Sequence, residues 1–553
     1  MLGVLLSIAM LFQQDPLRVL LTADTSRAVR RAIDAQAQFE RGRRYQLPVL
    51  AAGRGHCDER IGRFCYWYEE GDTTLPKDPP AIHRARAQLL TTLAEVAAQQ
   101  PSSAWIAGQQ VRYLVEQGEA DSASALAGRC RSIAWWCDAL AGFAHHMAGR
   151  FAASDSLFAR SLSAMPEELR CFWADWTMVL DGTTATAFDR LDCPAQRARA
   201  DTLFQLAQPL LSRPGNDLRT ELLSRRVMAA LSGVARSPYQ IPWGKDLEEM
   251  MIRYGWSTGW SQAEPSVSSL DQPSVVGHQR SPAYRFWPVP ARDDPAGWAW
   301  DAKPERPRSR YAPAYLDRYA ADLEYQIARF PRGDSTVIVA AIATERDTLL
   351  AGRPLDLALA VVSATGRTTI VRRDSSTPAP LSVTIESRAG ITSVEANPSG
   401  RRAYRIGRRA FPSDSTTAIV VSDPLLFRAA TDLPETLDEA ARRALGSLRI
   451  SRAAPLGVYW EIVQPSLDSV AVAVAVQPLR RGLLGRLGEG LSLVNRATSL
   501  TLQWQAGPQG PGIVGRAFEL DLSRLRPGHY RLRLTAVAGG LTGGAERLLI
   551  LDP

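Results

Sequence analysis

The sequence predicts a multidomain protein in which an α-helical domain precedes two β-sandwich domains. Three observations support this fold class. Apolar residues recur at spacings of three and four up to about residue 235, and at a spacing of two from Asp334 onward. All six cysteines lie in the first 200 residues, within the helical part. With 553 residues the chain is also too long for a single hydrophobic core.

Residues 15–235 are predicted to form the helical domain, and one stretch of it shows a specific repeat pattern. Small residues at Gly142 and Ser154 would let the two helices of a hairpin approach closely. Phe158 would fill the space between them, and Pro166 would end the second helix. These spacings are typical of a tetratricopeptide repeat, and the segment before Cys130 repeats the pattern irregularly. We therefore expect an N-terminal α-helical (TPR-like) repeat domain.

The cysteines separate into close sequence pairs, which favours disulfide bonds between nearest neighbours. Six cysteines allow 15 connectivities. A zinc site would call for a C-x-x-C or H-x-x-x-H spacing, and the sequence contains neither. Reduced, buried thiols are the remaining alternative. The predicted bonds are Cys57–Cys65, Cys130–Cys137 and Cys171–Cys193.

Residues 1–14 form an apolar N-terminal segment with the length of a signal-peptide core. No basic residue precedes this segment and no clear cleavage site follows it, so a buried first helix or a truncated leader is an alternative. Disulfides persist in oxidising compartments. The sequence therefore predicts an extracytoplasmic protein that is periplasmic, envelope-associated or secreted. No other apolar run reaches the roughly 20 residues of a membrane span, so no transmembrane domain is expected beyond this segment.

Residues 236–335 form a connecting segment rich in aromatic residues and proline. Its aromatic side chains could line a groove for a sugar or a peptide. Alternatively, they could form an apolar plug between the domains. A helix is predicted from about Pro313 to Arg329. The candidate binding residues are Tyr254, Trp256, Trp260 and Trp287.

The remaining residues are predicted to form two β-sandwiches, at 336–432 and at 433–553. The second begins with a helix at about Leu433 to Leu448. Near its end, a Pro-Gly turn precedes Tyr530 at the start of an alternating strand. This arrangement resembles the tyrosine corner of immunoglobulin-like domains. We therefore expect two immunoglobulin-like β-sandwich domains.

The middle and end of the chain resemble the GWxTD-domain proteins, a largely uncharacterised bacterial group. The resemblance rests on the segment Pro242-Trp-Gly-Lys-Asp246, followed by Arg253-Tyr-Gly255 and the β-rich region. Trp243 and Asp246 are the residues of the name-giving motif that this chain retains. The resemblance covers about residues 200–553. It implies the domain order and an extracytoplasmic setting, and it implies no activity and no catalytic residue.

The net charge of +8 comes from arginines scattered among acidic residues, which argues against a nucleic-acid-binding protein. The sequence contains no G-x-S-x-G, P-loop or H-E-x-x-H motif, so we predict no enzymatic activity, no cofactor and no metal site. The predicted function is that of an exported interaction or scaffold protein of the bacterial envelope. An unknown protein or peptide partner would bind the helical repeats. The alternative is an envelope enzyme or glycan-binding protein with its site at the aromatic segment.

Overall fold

The computed structural model describes residues 21–50, 58–66, 75–263, 275–279, 284–287, 289–290, 297–299, 308–316, 321–375, 380–411, 419–464, 469–479, 500–506 and 512–552. The chain divides into two compact units. The first comprises residues 1–209, 213–287 and 301–318, and the second comprises 210–212, 288–300 and 319–553. The predicted N-terminal segment 1–14, Cys57 and the side chain of Cys65 lie outside the described residues.

The first unit is mainly helical, and its helices continue beyond the predicted limit at residue 235. Its helices are α1 Arg27–Gln46, α2 Pro80–Gln99, α3 Ala104–Glu116, α4 Ala120–Ala127, α5 Ala134–Met147, α6 Phe151–Ala164, α7 Glu167–Ala174, α8 Gly182–Asp189, α9 Cys193–Ala207, α10 Asp217–Gly233 and α11 Lys245–Tyr254. Its strands are β1 Val49–Leu50, β2 Glu59–Ile61, β3 Phe64–Tyr66, β4 Gly259–Ala263 and β5 Val275–His278.

Helices α5 and α6 form the close hairpin that the small residues predict. A Cβ atom built on Gly142 would lie 3.0 Å from the ring of Phe158. Ser154 Oγ donates a 2.7 Å hydrogen bond to the carbonyl oxygen of Gly142. Both Phe158 and Ser154 are buried. The absence of a side chain at residue 142 therefore sets the distance between the two helices.

A buried set of charges joins α1 to α3. Tyr113 Oη donates to Glu40 Oε1 over 2.7 Å. Arg43 Nη1 and Arg112 Nε donate to the two oxygens of Glu116 over 3.0 and 2.9 Å. The two guanidinium groups hold the pKa of Glu116 down at about 2, against the raising effect of burial. Because the two cations balance the two carboxylates, the helices can bury these groups without an unpaired charge.

Two of the predicted disulfides lie within the described residues, and both are formed. Cys130 and Cys137 join the turn after α4 to α5, with Cα atoms 5.6 Å apart. Cys171 and Cys193 join α7 to the start of α9, with Cα atoms 5.5 Å apart. These bonds favour an oxidising compartment for the protein.

Replacing Cys171 by Ser should lower the free energy of unfolding of the first unit by about 3 kcal/mol, because the bond closes a loop of about 22 residues. Once the bond is lost, also replacing Cys193 by Ser should lower the free energy of unfolding little further. Urea unfolding followed by helical circular dichroism measures both effects. Additive losses in the double variant would contradict the prediction.

The two ends of the helical unit are tied to each other. Strands β1 and β4 pair in parallel, with Val49 opposite Gln262. Strand β5 pairs antiparallel with β4. Gln36 Nε2 donates to the carbonyl oxygen of Arg236 over 2.8 Å, although the residues are 200 positions apart. The unit is therefore closed, whereas repeats in an open solenoid contact only their neighbours.

The second unit is β-rich, with one short helix, α12 Leu437–Arg442, inside the longer helix predicted for Leu433 to Leu448. Its strands are β6 Val289–Pro290, β7 Gly297–Ala299, β8 Ala321–Asp322, β9 Tyr325–Arg332, β10 Ser335–Ile342, β11 Leu355–Ser363, β12 Thr368–Ser375, β13 Leu381–Ile385, β14 Gly390–Pro398, β15 Arg405–Phe411, β16 Val420–Val421, β17 Leu425–Arg428, β18 Arg449–Ser451, β19 Leu456–Gln464, β20 Val470–Pro478, β21 Leu500–Ala506, β22 Gly512–Leu520, β23 Gly528–Ala538 and β24 Leu541–Asp552.

The strands form several sheets around two main hydrophobic cores. In the first part of the unit, the sheet β13-β10-β9 and the sheet β12-β11-β14-β15-β7-β6 share one core. In the second part, the sheet β16-β19-β17, which β22 extends, shares a core with the sheet β18-β24-β23-β20-β21. Tyr530 is buried in this second core, at the start of β23. The region is thus built from sheets packed face to face, as the alternating pattern predicts.

The helix predicted from Pro313 to Arg329 is wrong. The end of this segment belongs to strand β9, Tyr325–Arg332, which pairs antiparallel with β10. Adjacent residues of β9 point to opposite faces of the sheet, and both Ile327 and Ala328 are buried. A strand that is covered on both faces loses its alternation of apolar and polar residues, so its sequence does not show the period of two.

Candidate functional site

An open groove of about 330 Å³ lies on the first unit between α2, α3, α4 and the start of α5. This volume is at the lower end of the range of about 300–1,000 Å³ that is usual for ligand sites. Most of the lining is apolar and small. It consists of Ala94, Ala97, Ala98, Pro101, Ile106, Ala107, Val111, Leu126, Ala127, Cys130 and Leu140, together with the polar residues Gln100, Ser103, Gln110, Arg129 and Arg131.

The groove exists because alanines occupy the facing positions of the helices that form it. Ala97 and Ala107 are half-buried, and neither side chain reaches across the space. Trp136, on α5, fixes one wall, since its Nε1 donates to the carbonyl oxygen of Ala104 over 3.2 Å. Ser103 accepts a hydrogen bond from the backbone amide of Ile106 and caps α3. The shape is therefore set by fixed helices.

Gln110 places an amide group in this groove. Its side chain lines the groove and only 7% of the residue is exposed. Within the described residues, its amide makes no hydrogen bond, whereas the neighbouring Gln109 donates to Leu231. A primary amide offers two donors and an acceptor, and those of Gln110 open onto the groove. Because no described residue bonds to this amide, it is available to pair with a ligand that enters the groove.

Arg129 and Arg131 give the groove a positive charge. They flank Cys130 in the turn between α4 and α5, and both are exposed. Neither guanidinium forms an ion pair with a described residue, and no lining residue within 94–140 is acidic. The Cys130–Cys137 bond anchors the turn that carries both arginines. The groove thus combines a small apolar floor, a free amide and two free cations.

Two of the predicted aromatic binding residues are buried. Tyr254 stacks on Tyr66 with ring centroids 3.7 Å apart, and its hydroxyl donates to Glu59 Oε2 over 2.9 Å. Trp287 Nε1 donates to Ser309 Oγ over 2.7 Å. Of these side chains, Tyr254 is 5% and Trp287 is 7% exposed. Both rings lie inside the packing of the first unit.

The other two predicted aromatic residues are half-buried. Trp256 contacts Phe143 edge to face, with centroids 5.6 Å apart. Trp260 lies on strand β4, and the guanidinium of Arg43 is 5.3 Å from its ring. A role for the four aromatic residues in ligand binding stays a prediction.

The two retained motif residues, Trp243 and Asp246, have structural contacts. Asp246 Oδ2 and Oδ1 accept from Arg63 Nε and Nη2 over 2.6 and 2.7 Å, and this pair holds the β2–β3 hairpin against α11. The hydrogen bond from Arg63 lowers the pKa of Asp246 to about 2. The ring of Trp243 lies 3.4 Å from the Cβ position of Gly233, at the end of α10.

A second polar cluster is buried around α10, with the half-buried Tyr315 at its edge. His146 Nε2 and Nδ1 lie 2.8 Å from Glu221 Oε2 and 2.9 Å from Thr220 Oγ1. Tyr315 Oη donates to Asp217 Oδ2 over 2.6 Å. Burial raises the pKa of Asp217 to about 6, whereas the neighbouring Arg225 helps to lower the pKa of Glu221 to about 2. Apart from Asp217 Oδ1, which accepts no hydrogen bond from a described residue, these groups satisfy one another without an open cavity, which indicates a stabilising role.

The raised pKa of Asp217 predicts a pH-dependent stability. Its folded-state pKa of about 6 exceeds the usual value of 3.8, so folding favours the protonated form. The contribution of Asp217 to stability is therefore greatest at low pH and falls as the pH rises from about 4 to 6. Asp217→Asn should remove this fall, so the variant should gain stability relative to the natural protein over that interval.

Thermal unfolding of both proteins between pH 4 and pH 7 measures this difference. Asp34→Asn, which alters an exposed carboxylate on α1, controls for the loss of a surface charge. If the difference between Asp217→Asn and the natural protein were constant with pH, the assignment to Asp217 would be wrong.

Sequence reasoning missed the polar residues of the groove. It predicted the disulfide between Cys130 and Cys137, and the signal available there was the pair of arginines on either side of Cys130. Gln110 gave no signal, because a glutamine within an amphipathic helix usually faces solvent. Only the packing of α2, α4 and α5 around α3 shows that this residue lines a groove.

The described residues contain no helix that is long and apolar enough to cross a bilayer. They also contain no group of three or more His, Cys, Asp or Glu side chains arranged to hold a metal ion.

Comparisons with known proteins leave the family open. No protein-family model matches the chain, and no curated protein matches it. Among solved structures, Escherichia coli alpha-2-macroglobulin activated by porcine elastase aligns over 40% of this chain, with 13% identity and a TM-score of 0.15. The FN1–FN3 domains of chicken CNTN1 align over 42% of it, with 9% identity and a TM-score of 0.15. The chain spans 22% of the former and 68% of the latter. At such scores, the fold and the site rest on this chain's own contacts.

Proposed function

We propose that this chain is a non-enzymatic binding protein of the bacterial envelope that holds a protein partner in the groove between α2, α3, α4 and α5. The observation that carries the proposal is the amide of Gln110, which opens onto a largely apolar groove and has no hydrogen-bond partner among the described residues. A polypeptide supplies both backbone donors and carbonyl acceptors, which are the groups that a primary amide requires. Fixed helices keep the groove open, so little ordering is needed on binding.

The proposed setting is extracytoplasmic, in the periplasm, on the envelope or in the medium. The two disulfides support an oxidising compartment. The resemblance to the GWxTD-domain proteins, through Trp243 and Asp246, supports a bacterial envelope protein. The helical hairpin at Gly142 and Ser154 supports the TPR-like description of the first unit, and the face-to-face sheets support immunoglobulin-like domains in the second.

Selection of peptides on the full-length protein tests the proposed function. A random library of displayed peptides is selected on the natural protein and then tested against two variants. Ala98→Trp places an indole over the groove, because Ala98 is exposed and lines it. Ala153→Trp makes the same change at an exposed position of α6 outside the groove.

We expect selected peptides to lose most of their affinity for Ala98→Trp and to keep it for Ala153→Trp. Fluorescence anisotropy with labelled peptides measures both affinities. If no selected peptide distinguishes the two variants, the groove is not a binding site and the proposed function is wrong.

A further inference from the structure

We infer that the occupant of the groove is an extended internal segment of a protein that carries at least two acidic side chains beside aliphatic ones. This inference rests on the proposed function and specifies its ligand class. It depends on three features of the groove that have separate consequences: the free cations of Arg129 and Arg131, the free amide of Gln110 and the small apolar floor.

The two arginines select for negative charge. Both guanidinium groups are exposed and lack a described carboxylate partner, and the lining residues include no acid. Since Arg129 and Arg131 lie on either side of Cys130, each can pair with its own carboxylate. Guanidinium–carboxylate pairs are directional and often bidentate. Two separate cations therefore fit two acidic side chains of one segment better than the single carboxylate of a chain end.

The amide of Gln110 fits the backbone of the same segment. A side-chain amide can donate to a backbone carbonyl and accept from a backbone N–H at the same time, irrespective of the peptide's sequence. Gln110 is 7% exposed, so a bound backbone would replace whatever water reaches the amide from the groove. This contact would contribute affinity, and the arginines would contribute selectivity.

The floor of the groove fits aliphatic side chains. The side chains of Ala97, Ala98, Ala107 and Leu126 present only aliphatic carbon to the space, and all four residues keep exposed surface. A leucine, isoleucine or valine of the partner would bury apolar surface there. A segment with acidic but no aliphatic side chains would leave this surface in contact with water. We therefore expect aliphatic and acidic residues together.

Charge reversal at the two arginines tests the inference. The same random peptide library is selected on the full-length natural protein and on the double variant Arg129→Glu/Arg131→Glu. A second double variant, Arg190→Glu/Arg199→Glu, changes the net charge equally at exposed positions outside the groove. We expect Asp and Glu to be enriched at least about twofold on the natural protein and on the control, and Lys and Arg to be enriched on the groove variant.

Affinity measurements on the strongest peptide then separate the sources of binding. Replacing its acidic residues by Gln should weaken binding about tenfold, whereas amidating its C-terminus should have little effect. Gln110→Leu should weaken binding of every groove-dependent peptide about fivefold or more. It should leave the midpoint of thermal unfolding unchanged or raised, because this amide has no partner within the described protein.

The possible results distinguish this inference from the proposed function. Suppose that Ala98→Trp weakens peptide binding but charge reversal does not change the composition of the selected peptides. The inference of an acidic ligand is then wrong, and the groove remains a binding site. If binding depends on a free C-terminus, the partner is a chain end and the inference of an internal segment is overturned. If no peptide is sensitive to Ala98→Trp, both are wrong.

Discussion

Arg225→Ala should destabilise the first unit by about 3–5 kcal/mol, the cost that follows when one partner of a buried, hydrogen-bonded charge pair is removed. Arg225 is 2% exposed. Its Nε donates to Glu221 Oε1 over 2.8 Å, and its Nη1 donates to the carbonyl oxygens of Ile252 and Arg253 over 3.0 and 2.8 Å. Its Nη2 donates to the carbonyl oxygen of Arg310 over 2.6 Å. The guanidinium thus joins α10, the end of α11 and a later segment.

The alanine variant would leave one carboxylate and three carbonyl oxygens buried without this donor. Arg31→Ala is the matched control, because Arg31 pairs with Glu95 where both side chains are more than half exposed. An exposed pair of this kind contributes about 0–1 kcal/mol. Urea unfolding of both variants gives the comparison. Equal losses in the two variants would show that the buried network does not hold these elements together.

Gly215→Ala should lower the free energy of unfolding by more than about 3 kcal/mol. Gly118→Ala should lower it by only about 1–2 kcal/mol, which is the usual penalty for a side chain at positive φ. The two glycines have similar backbones, with φ of 81° and 87°. They differ in the space around them. A Cβ atom at Gly215 would lie 2.5 Å from the backbone nitrogen of Ala152, whereas nothing lies within 4 Å of the Cβ position at Gly118.

The larger loss of stability at Gly215 arises because the neighbouring atoms belong to the backbone, which cannot change rotamer to make room as a side chain can. To admit a methyl group, the start of α6 would have to move away from the turn before α10. That turn is held by Asn216, whose amide donates to the carbonyl oxygen of Phe204 over 2.8 Å. The free energies of unfolding of the two variants measure the difference. If the two variants have equal free energies of unfolding, the starts of α6 and α10 can move apart without loss of stability, and this prediction is wrong.

The order of the two regions and the disulfide pairs within the described residues could be predicted from the sequence, because they depend on local signals. Helical and strand periods appear over about ten residues, and the spacing of Cys130 from Cys137 is short enough to suggest a bond. The close contact at Gly142 and Ser154 was equally local, since both residues belong to one hairpin. Such features need no knowledge of the rest of the fold.

Buried charges were the main feature that the sequence did not predict. Helix α10 carries Glu221, Arg225 and Arg226, which by their type belong on a surface, yet all three are at least nine-tenths buried. Their partners are carbonyl oxygens and side chains from distant segments, such as Arg310. A single sequence does not show which distant carbonyls will meet an arginine. The groove around Gln110 was missed for the same reason.

The parallel pairing of β1 with β4 has a consequence for how the chain is made. Val49 lies opposite Gln262, so a contact that closes the first unit spans more than 200 residues. Loop-closure entropy opposes such contacts until the intervening helices have formed. During synthesis, β1 must therefore wait with its strand edge unpaired until β4 has emerged, although α1 already packs against α2 and α3. A chain interrupted before residue 259 would leave that edge open to proteases and chaperones.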